Sequence, residues 1–435
     1  MWAYESVFYQ IYPLGFCGAP FENDGKQESR ILKVIDWIQH IEKLGANAIY
    51  FSPVFESDTH GYNTRDYTKI DCRLGTNADF KEVCEELHKV GIKVVLDGVF
   101  NHVGRGFWAF QDVLANREGS RYRDWFHIDF GGNSNYNDGL WYEGWEGNYD
   151  LVKLNLRNEE VIQHIFAAVK GWIDEFDIDG LRLDVAYCLD HDFLRRLRQH
   201  VDGLKEDFFI VGETLHGDYN QWMNDAMCNS VTNYECYKGL FSSFNSMNMF
   251  EIAHSLHRQF GSDQWCIYRG KHLMTFVDNH DVTRLASILT NKKHIPLAYG
   301  LLMGMPGIPC LYYGSEWAEP GEKAPDNDYA LRPCFEEPKP NELTEFIKKL
   351  IRVRQESDAL CNGAYKNVVI QNHQLVFERC SEKERVIVAI NAADYPYTAN
   401  AGELNGTAAD LLTGETVTMN GQLELKPYSV QYLKF

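Results

Sequence analysis

The chain has 435 residues, 45% hydrophobic and 24% charged, the proportions of a soluble globular protein of two or three domains and not of a disordered, collagenous or coiled-coil chain. Its 62 acidic and 42 basic side chains leave a formal charge of -20, which repels phosphate backbones and anionic lipid surfaces and excludes nucleic acid and membrane as expected partners. Aromatic residues reach 14%, a supply of flat apolar faces suited to a neutral ligand such as a carbohydrate.

Short β-branched or aromatic runs recur along the chain, separated by longer amphipathic segments, the pattern of a parallel sheet with crossover helices. Strands are predicted at 7–12, 48–52, 93–97, 180–184, 208–213, 273–278 and 308–313, with an eighth near 226–231. Helices between them carry apolar stripes such as Ile31, Val34, Ile35, Ile38, Ile41 and Phe80, Val83, Cys84, Leu87, and stop at Gly45 and Gly91. The count fits an α/β fold, an eight-stranded (β/α)8 TIM barrel over residues 1–102 and 156–358. Residues 103–155, rich in Trp, Tyr, Gly, Asn and Asp, lose the rhythm and are predicted to be an inserted, loop-rich domain B after the third strand. From 359 to 435, alternating runs separated by Asn, Gly and Asp turns predict a C-terminal antiparallel β-sandwich domain.

The uncharged stretch 296–313 is long enough to raise the question of a membrane span. Gly300, Gly304, Pro306, Gly307 and Pro309 break it, so a helix, a turn and a buried strand are expected instead. Eleven scattered cysteines without CxxC pairs read as reduced thiols, and residues 1–5 show no basic and apolar leader, so a cytoplasmic location is expected. Phosphate-binding glycine loops of the Walker or dinucleotide kind are missing, and no nucleotide, nicotinamide or flavin cofactor is expected.

Acids end several predicted strands: Asp97, Asp184, Glu213 and Asp278, accompanied by His102, Arg182 and His280. Helix capping explains any one of them; four on separate strands of a barrel converge on one opening. Acetal hydrolysis needs such a set, with one carboxylic acid to protonate the leaving oxygen and one carboxylate as nucleophile or base.

Four segments in order, DGVFNH (97–102), GLRLDVA (180–186), GETLH (212–216) and FVDNHD (276–281), resemble the four short motifs of the alpha-amylase family of α-glucan-active enzymes. The resemblance implies Asp184 as nucleophile, Glu213 as general acid/base and Asp278 as the carboxylate that grips the distorted sugar. By the same resemblance Arg182 keeps Asp184 ionised, His102 and His280 bond sugar hydroxyls, Tyr62 stacks under the sugar, and Asp328 and Arg332 clamp the non-reducing glucose. Asp97 and Asn101 hold the inserted domain in family members, sometimes through calcium; no cofactor is required and a structural calcium is allowed, with no catalytic metal assigned. LVKLN (151–155) and His216 resemble the cyclomaltodextrinase, neopullulanase and maltogenic amylase branch, though that branch's N-terminal domain is expected to be absent because the first strand begins almost at once. The implied activity is retaining hydrolysis of α-1,4 bonds in maltooligosaccharides, extending to cyclodextrins and pullulan. An α-glucosyl transferase or isomerase using the same covalent intermediate is the alternative. Oligomeric state is left open.

Overall fold

The computed structural model describes residues 1–435, the side chain of Glu403 excepted. Eight parallel strands form the central sheet: β1 (Phe8–Ile11), β2 (Ala48–Phe51), β3 (Lys93–Gly98), β4 (Gly180–Leu183), β5 (Phe209–Gly212), β6 (Ser230–Val231), β7 (Met274–Thr275) and β8 (Ile308–Tyr312). They pair in the order β6-β5-β4-β3-β2-β1-β8-β7, and an isolated parallel bridge between Thr232 and Met274 joins the two outer strands into a barrel. The strands are apolar on both faces because side chains fill the barrel inside and helices cover it outside. The helix Lys33–Leu44 turns its apolar stripe to the sheet and ends on Gly45, whose φ of +97° suits glycine. Thr76 and Asp79 start the helix Asn77–Lys89 with a reciprocal capping box.

One expectation is corrected. The segment 103–155 contains a regular helix, Trp108–Asn116, whose Ala109, Phe110 and Val113 are buried; aromatic residues on both of its faces mask the helical period, Trp108 being exposed. The strands of the C-terminal segment pair as one continuous antiparallel sheet that folds back on itself. Its strands β9 (Ala364–Ile370), β10 (Gln374–Cys380), β11 (Arg385–Asn391), β12 (Tyr397–Asp410), β13 (Thr416–Leu425) and β14 (Ser429–Lys434) pair in the order β9-β10-β11-β14-β12-β13, all antiparallel. The long β12 pairs with both β13 and β14, so the sheet folds over a core of its own that includes Val376, Ile387, Leu404, Met419 and Leu433.

The apolar stretch after 295 also finds its explanation here. The helix Ile295–Gly304 is buried nearly all round, because the C-terminal sheet covers its outer side. A Cβ on Gly300 would meet Val430 at 2.7 Å and one on Gly304 would meet Val388 at 3.0 Å, so the glycines permit the close approach. Among the described residues no helix is long and apolar enough to cross a membrane.

Candidate active site

The ladder of the barrel continues past the strand ends and sets two acids in place. Asp184 N donates to Gly98 O at 3.1 Å and Glu213 N to Leu183 O at 2.9 Å, so both side chains emerge at the C-terminal mouth. Val185 follows in the left-handed region, φ +40°, a conformation that costs a β-branched residue on the order of 1–2 kcal/mol. That turn aims the Val185 N–H at Glu213 Oε2, 2.8 Å away.

One buried guanidinium organises the floor. Arg182 on β4 places Nη1 3.0 Å from Asp97 Oδ1 and 2.9 Å from Asp184 Oδ1, and Nη2 2.9 Å from Glu213 Oε1. Three carboxyls face this cation, and burial raises the pKa of both Asp184 and Glu213; Arg182 opposes the rise, while Glu213 adds to it at Asp184 and Asp281 adds to it at Glu213. Both carboxyls thus hold their protons more tightly than a free carboxylic acid does, and the guanidinium between them stabilises the charge of whichever ionises.

Asp281 completes the ring of acids. Its carboxylate lies 3.0 Å from His280 Nε2 and 3.1 Å from Arg332 Nη2. Burial works against its ionisation, but His280 and Arg332 outweigh burial and hold the carboxyl well below the usual range. Gln10 Nε2 donates to His280 Nδ1 at 2.8 Å, which leaves the His280 proton on Nε2, facing Asp281 and a short hydrogen bond with the Tyr62 hydroxyl. His102 Nε2 stands 3.6 Å from Asp184 Oδ2, and neither buried atom has a hydrogen-bond partner. Burial first, then the neighbouring His60, push the His102 pKa down to about 3, so the imidazole is neutral.

Tyr62, His102, Asp184, Glu213, Asp281, Asp328 and Arg332 border a single cavity of about 950 Å³. An open cavity at the barrel mouth, with two acids joined by one guanidinium and with aromatic walls, suits acid and nucleophile chemistry on a neutral polar substrate.

Residues 10–337 match the family described as "Alpha amylase, catalytic domain". The chain belongs to the alpha-amylase family. It is a glycosidase with the α-glucan chemistry of that family. It is 34% identical to neopullulanase 2 of Thermoactinomyces vulgaris over 98% of this chain and 77% of that protein. It is 31% identical to maltogenic alpha-amylase of Bacillus acidopullulyticus over 100% of this chain and 78% of that protein. Among solved structures, cyclic alpha-maltosyl-(1-->6)-maltose hydrolase from Arthrobacter globiformis superposes with a TM-score of 0.85 at 28% identity, covering 100% of this chain and 99% of that one.

On this alpha-amylase barrel one predicted acid lies elsewhere. Asp278 does not border the cavity: its Oδ1 accepts from Ser315 Oγ and its Oδ2 from Leu285 N, each at 2.8 Å. It accepts the first N–H of the short helix Leu285–Ile288 and ties that helix to the turn after β8. β7 ends at Thr275, so Asp278 lies in the loop that follows, turned to Ser315 and the Leu285 N–H, while Asp281, farther along the same loop, borders the cavity. Asp281 takes the position expected of Asp278, and the last letter of FVDNHD was its signal. Arg182 and His280 also stand behind the wall, hydrogen-bonded to lining groups and almost wholly buried, and His280 therefore supports Tyr62 and Asp281 rather than facing the cavity itself.

Asp328 and Arg332 meet as expected, 2.9 Å apart, around a single 3-10 turn at Tyr329–Leu331, and Arg332 reaches on to Asp281. Tyr12, Phe21, Trp145, Tyr187 and Tyr329 also border the cavity and were not singled out from the sequence as part of the site; aromatic residues scattered over separate loops share no motif. Calcium does not fit Asp97 and Asn101. Asp97 is engaged by Arg182, by Tyr50 at 2.8 Å and by Tyr62 at 3.1 Å, and Asn101 Nδ2 donates to His102 at 3.1 Å, so this pair presents a cation with a guanidinium and amide protons.

Proposed function

We propose that the protein is a retaining hydrolase of α-1,4-glucosidic bonds in short maltooligosaccharides, cyclic and branched forms included, acting in the cytoplasm. The observation that carries the reading is the Arg182 guanidinium joined to Asp184 and Glu213 beneath one cavity. Two carboxyls held against one guanidinium favour the close spacing of a nucleophile and an acid over the wider spacing that seats a water between them.

Asp184 attacks the anomeric carbon while Glu213 gives its proton to the departing glycosidic oxygen, and a covalent glucosyl ester forms with inverted configuration. Glu213, now a carboxylate, takes a proton from water, which attacks the same carbon; the ester bond to Asp184 breaks and the α configuration returns. Asp281, kept ionised by His280 and Arg332, accepts hydrogen bonds from the ring hydroxyls, and these strengthen as positive charge develops on the sugar. Tyr62 offers its ring to the apolar face of the pyranose. The two carboxyls supply both nucleophile and proton, so the reaction as written needs no cofactor.

The names of the relatives, neopullulanase and maltogenic alpha-amylase, support the substrate class. The eleven cysteines are all free, and a relative 30% identical is named intracellular maltogenic amylase of Bacillus subtilis; both support the compartment. Proton NMR of a fresh maltotriose digest tests the reading: α-anomeric product should appear before mutarotation. Glucose and maltose are expected from linear and cyclic dextrins, and panose from pullulan. A first product in the β configuration would refute the double displacement.

A further inference from the structure

The helix Phe250–Phe260 leads towards β7 through a loop that folds back on the helix's own last turn. Gly261 N donates to His257 O at 2.8 Å and Cys266 N to Asp263 O at 3.1 Å, while Ile267 N and Tyr268 N reach back to Arg258 O and Gln259 O at 3.0 and 2.7 Å. This turn brings three side chains of different chemistry to one point. His257 Nε2 lies 2.8 Å from Asp263 Oδ2, and Cys266 Sγ lies 3.0 Å from His257 O. One atom each from imidazole, carboxylate and thiol lie within 4.8 Å of one another. None of the three residues borders the substrate cavity.

Gly261 makes the convergence possible. A Cβ there would stand 2.8 Å from His257 Nδ1 and 2.9 Å from Cys266 Sγ, so any other residue would wedge the ring and the sulfur apart. An ion pair between His257 and Asp263 accounts for two of the residues and leaves the thiol unexplained. Cys266 is only 9% exposed, yet it joins none of the apolar clusters that hold Cys84, Cys228 and Cys236. The His257 side chain is partly exposed and that of Asp263 half-exposed, so solvent reaches the point where the three meet.

We propose that His257, Asp263 and Cys266 bind a zinc ion, with water as the fourth ligand. Nitrogen, oxygen and sulfur together select a borderline-soft, tetrahedral ion, whereas calcium and magnesium take oxygen alone. Zinc bonds of about 2.0–2.3 Å set ligand atoms roughly 3.3–3.6 Å apart, so closure on the ion asks for little more than about 1 Å of side-chain movement. The ion takes the place of the proton between His257 Nε2 and Asp263 Oδ2, which moves to Nδ1, and the thiol proton leaves to water. The bound metal ties the loop to the end of the helix.

The test uses the full chain, freed of metal with a chelator and kept reduced. Calorimetric titration with zinc chloride should show one ion bound per chain, and Co2+ in its place should give the charge-transfer absorption of a cobalt thiolate. The Trp265 ring is exposed, with its centroid 5.2 Å from that of His257, and its emission should be quenched as Co2+ binds. Cys266→Ser should abolish the cobalt thiolate band and weaken zinc binding at least about tenfold; Asp263→Asn, at a half-exposed position that tolerates the amide, should weaken binding as much and gives a second reading should Cys266→Ser fold poorly. Cys334→Ser, at an exposed thiol elsewhere, should leave both signals unchanged. Wild-type protein that binds no zinc, or zinc binding and a cobalt band that persist in Cys266→Ser and Asp263→Asn, overturns the site.

Discussion

Asp281→Asn and Asp278→Ala should separate turnover from stability, although the two acids are three residues apart in one motif. Asp281 faces the cavity, and its amide replacement keeps the volume while removing the charge that meets the sugar. Two charge-assisted hydrogen bonds at about 1.5–3 kcal/mol each amount to roughly 3–6 kcal/mol of transition-state stabilisation, a fall in kcat/KM of at least about a hundredfold. Arg332 keeps Asp328 at 2.9 Å, so the melting temperature should change little. Asp278→Ala does the reverse. It leaves the Leu285 N–H and the Ser315 hydroxyl, both buried, without their acceptor, at about 1–3 kcal/mol each. Thermal melting should shift down by several degrees, with turnover per folded molecule near wild type. The assays are steady-state hydrolysis of maltotriose and calorimetry on the same preparations. Wild-type turnover in Asp281→Asn, together with an inactive Asp278→Ala that melts normally, would refute the placement of the acids.

Asp184→Asn and Glu213→Gln should each lower kcat on maltotriose by at least about 3 kcal/mol in activation free energy, with folding intact by circular dichroism. Arg182→Lys keeps a charge but cannot bridge two carboxyls at once, so burial is less well opposed, the shared pKa values rise, and the acid limb of the pH–rate profile should move to higher pH. His102, pushed down to about 3 by burial, binds its proton more weakly in the folded chain than in the unfolded one. Its contribution to stability is therefore complete above pH ~6.5 and lost as pH falls towards the folded value, at about 1.4 kcal/mol per pH unit; His102→Gln should flatten urea-unfolding free energy against pH in that window. Gly15→Ala would drive a methyl group into Arg332 O and displace the arginine, and the expected reading is a raised KM for maltotriose with a smaller effect on kcat.

Much of the barrel was legible because its physics is local. Runs such as Lys93-Val94-Val95-Leu96 can only be buried on both faces, and the amphipathic stripes between them can only lie on a sheet, so strand order along the chain follows from periodicity. Asp184 and Glu213 were legible for the same reason: each directly follows a four-residue strand that ends where its apolar run ends. Asp278 was not, because Phe276 and Val277 prolong the apolar run of β7 past the two residues that the ladder pairs. The helix Trp108–Asn116 was hidden by Trp108 on its exposed side, which packs within domain B against Tyr122 and Trp125.

The order of residues, read alone, established an α/β barrel with acids at its strand ends, since burial pattern and motif spacing are properties of neighbouring residues. Tertiary structure alone decided which acid meets the sugar, that one guanidinium joins Asp184 to Glu213, and that Phe21 and Tyr329, more than three hundred residues apart, share a wall. Hydrogen bonds from buried arginines to distant carbonyls set that wall, and such partners leave no trace in local sequence because backbone carbonyls are the same at every residue.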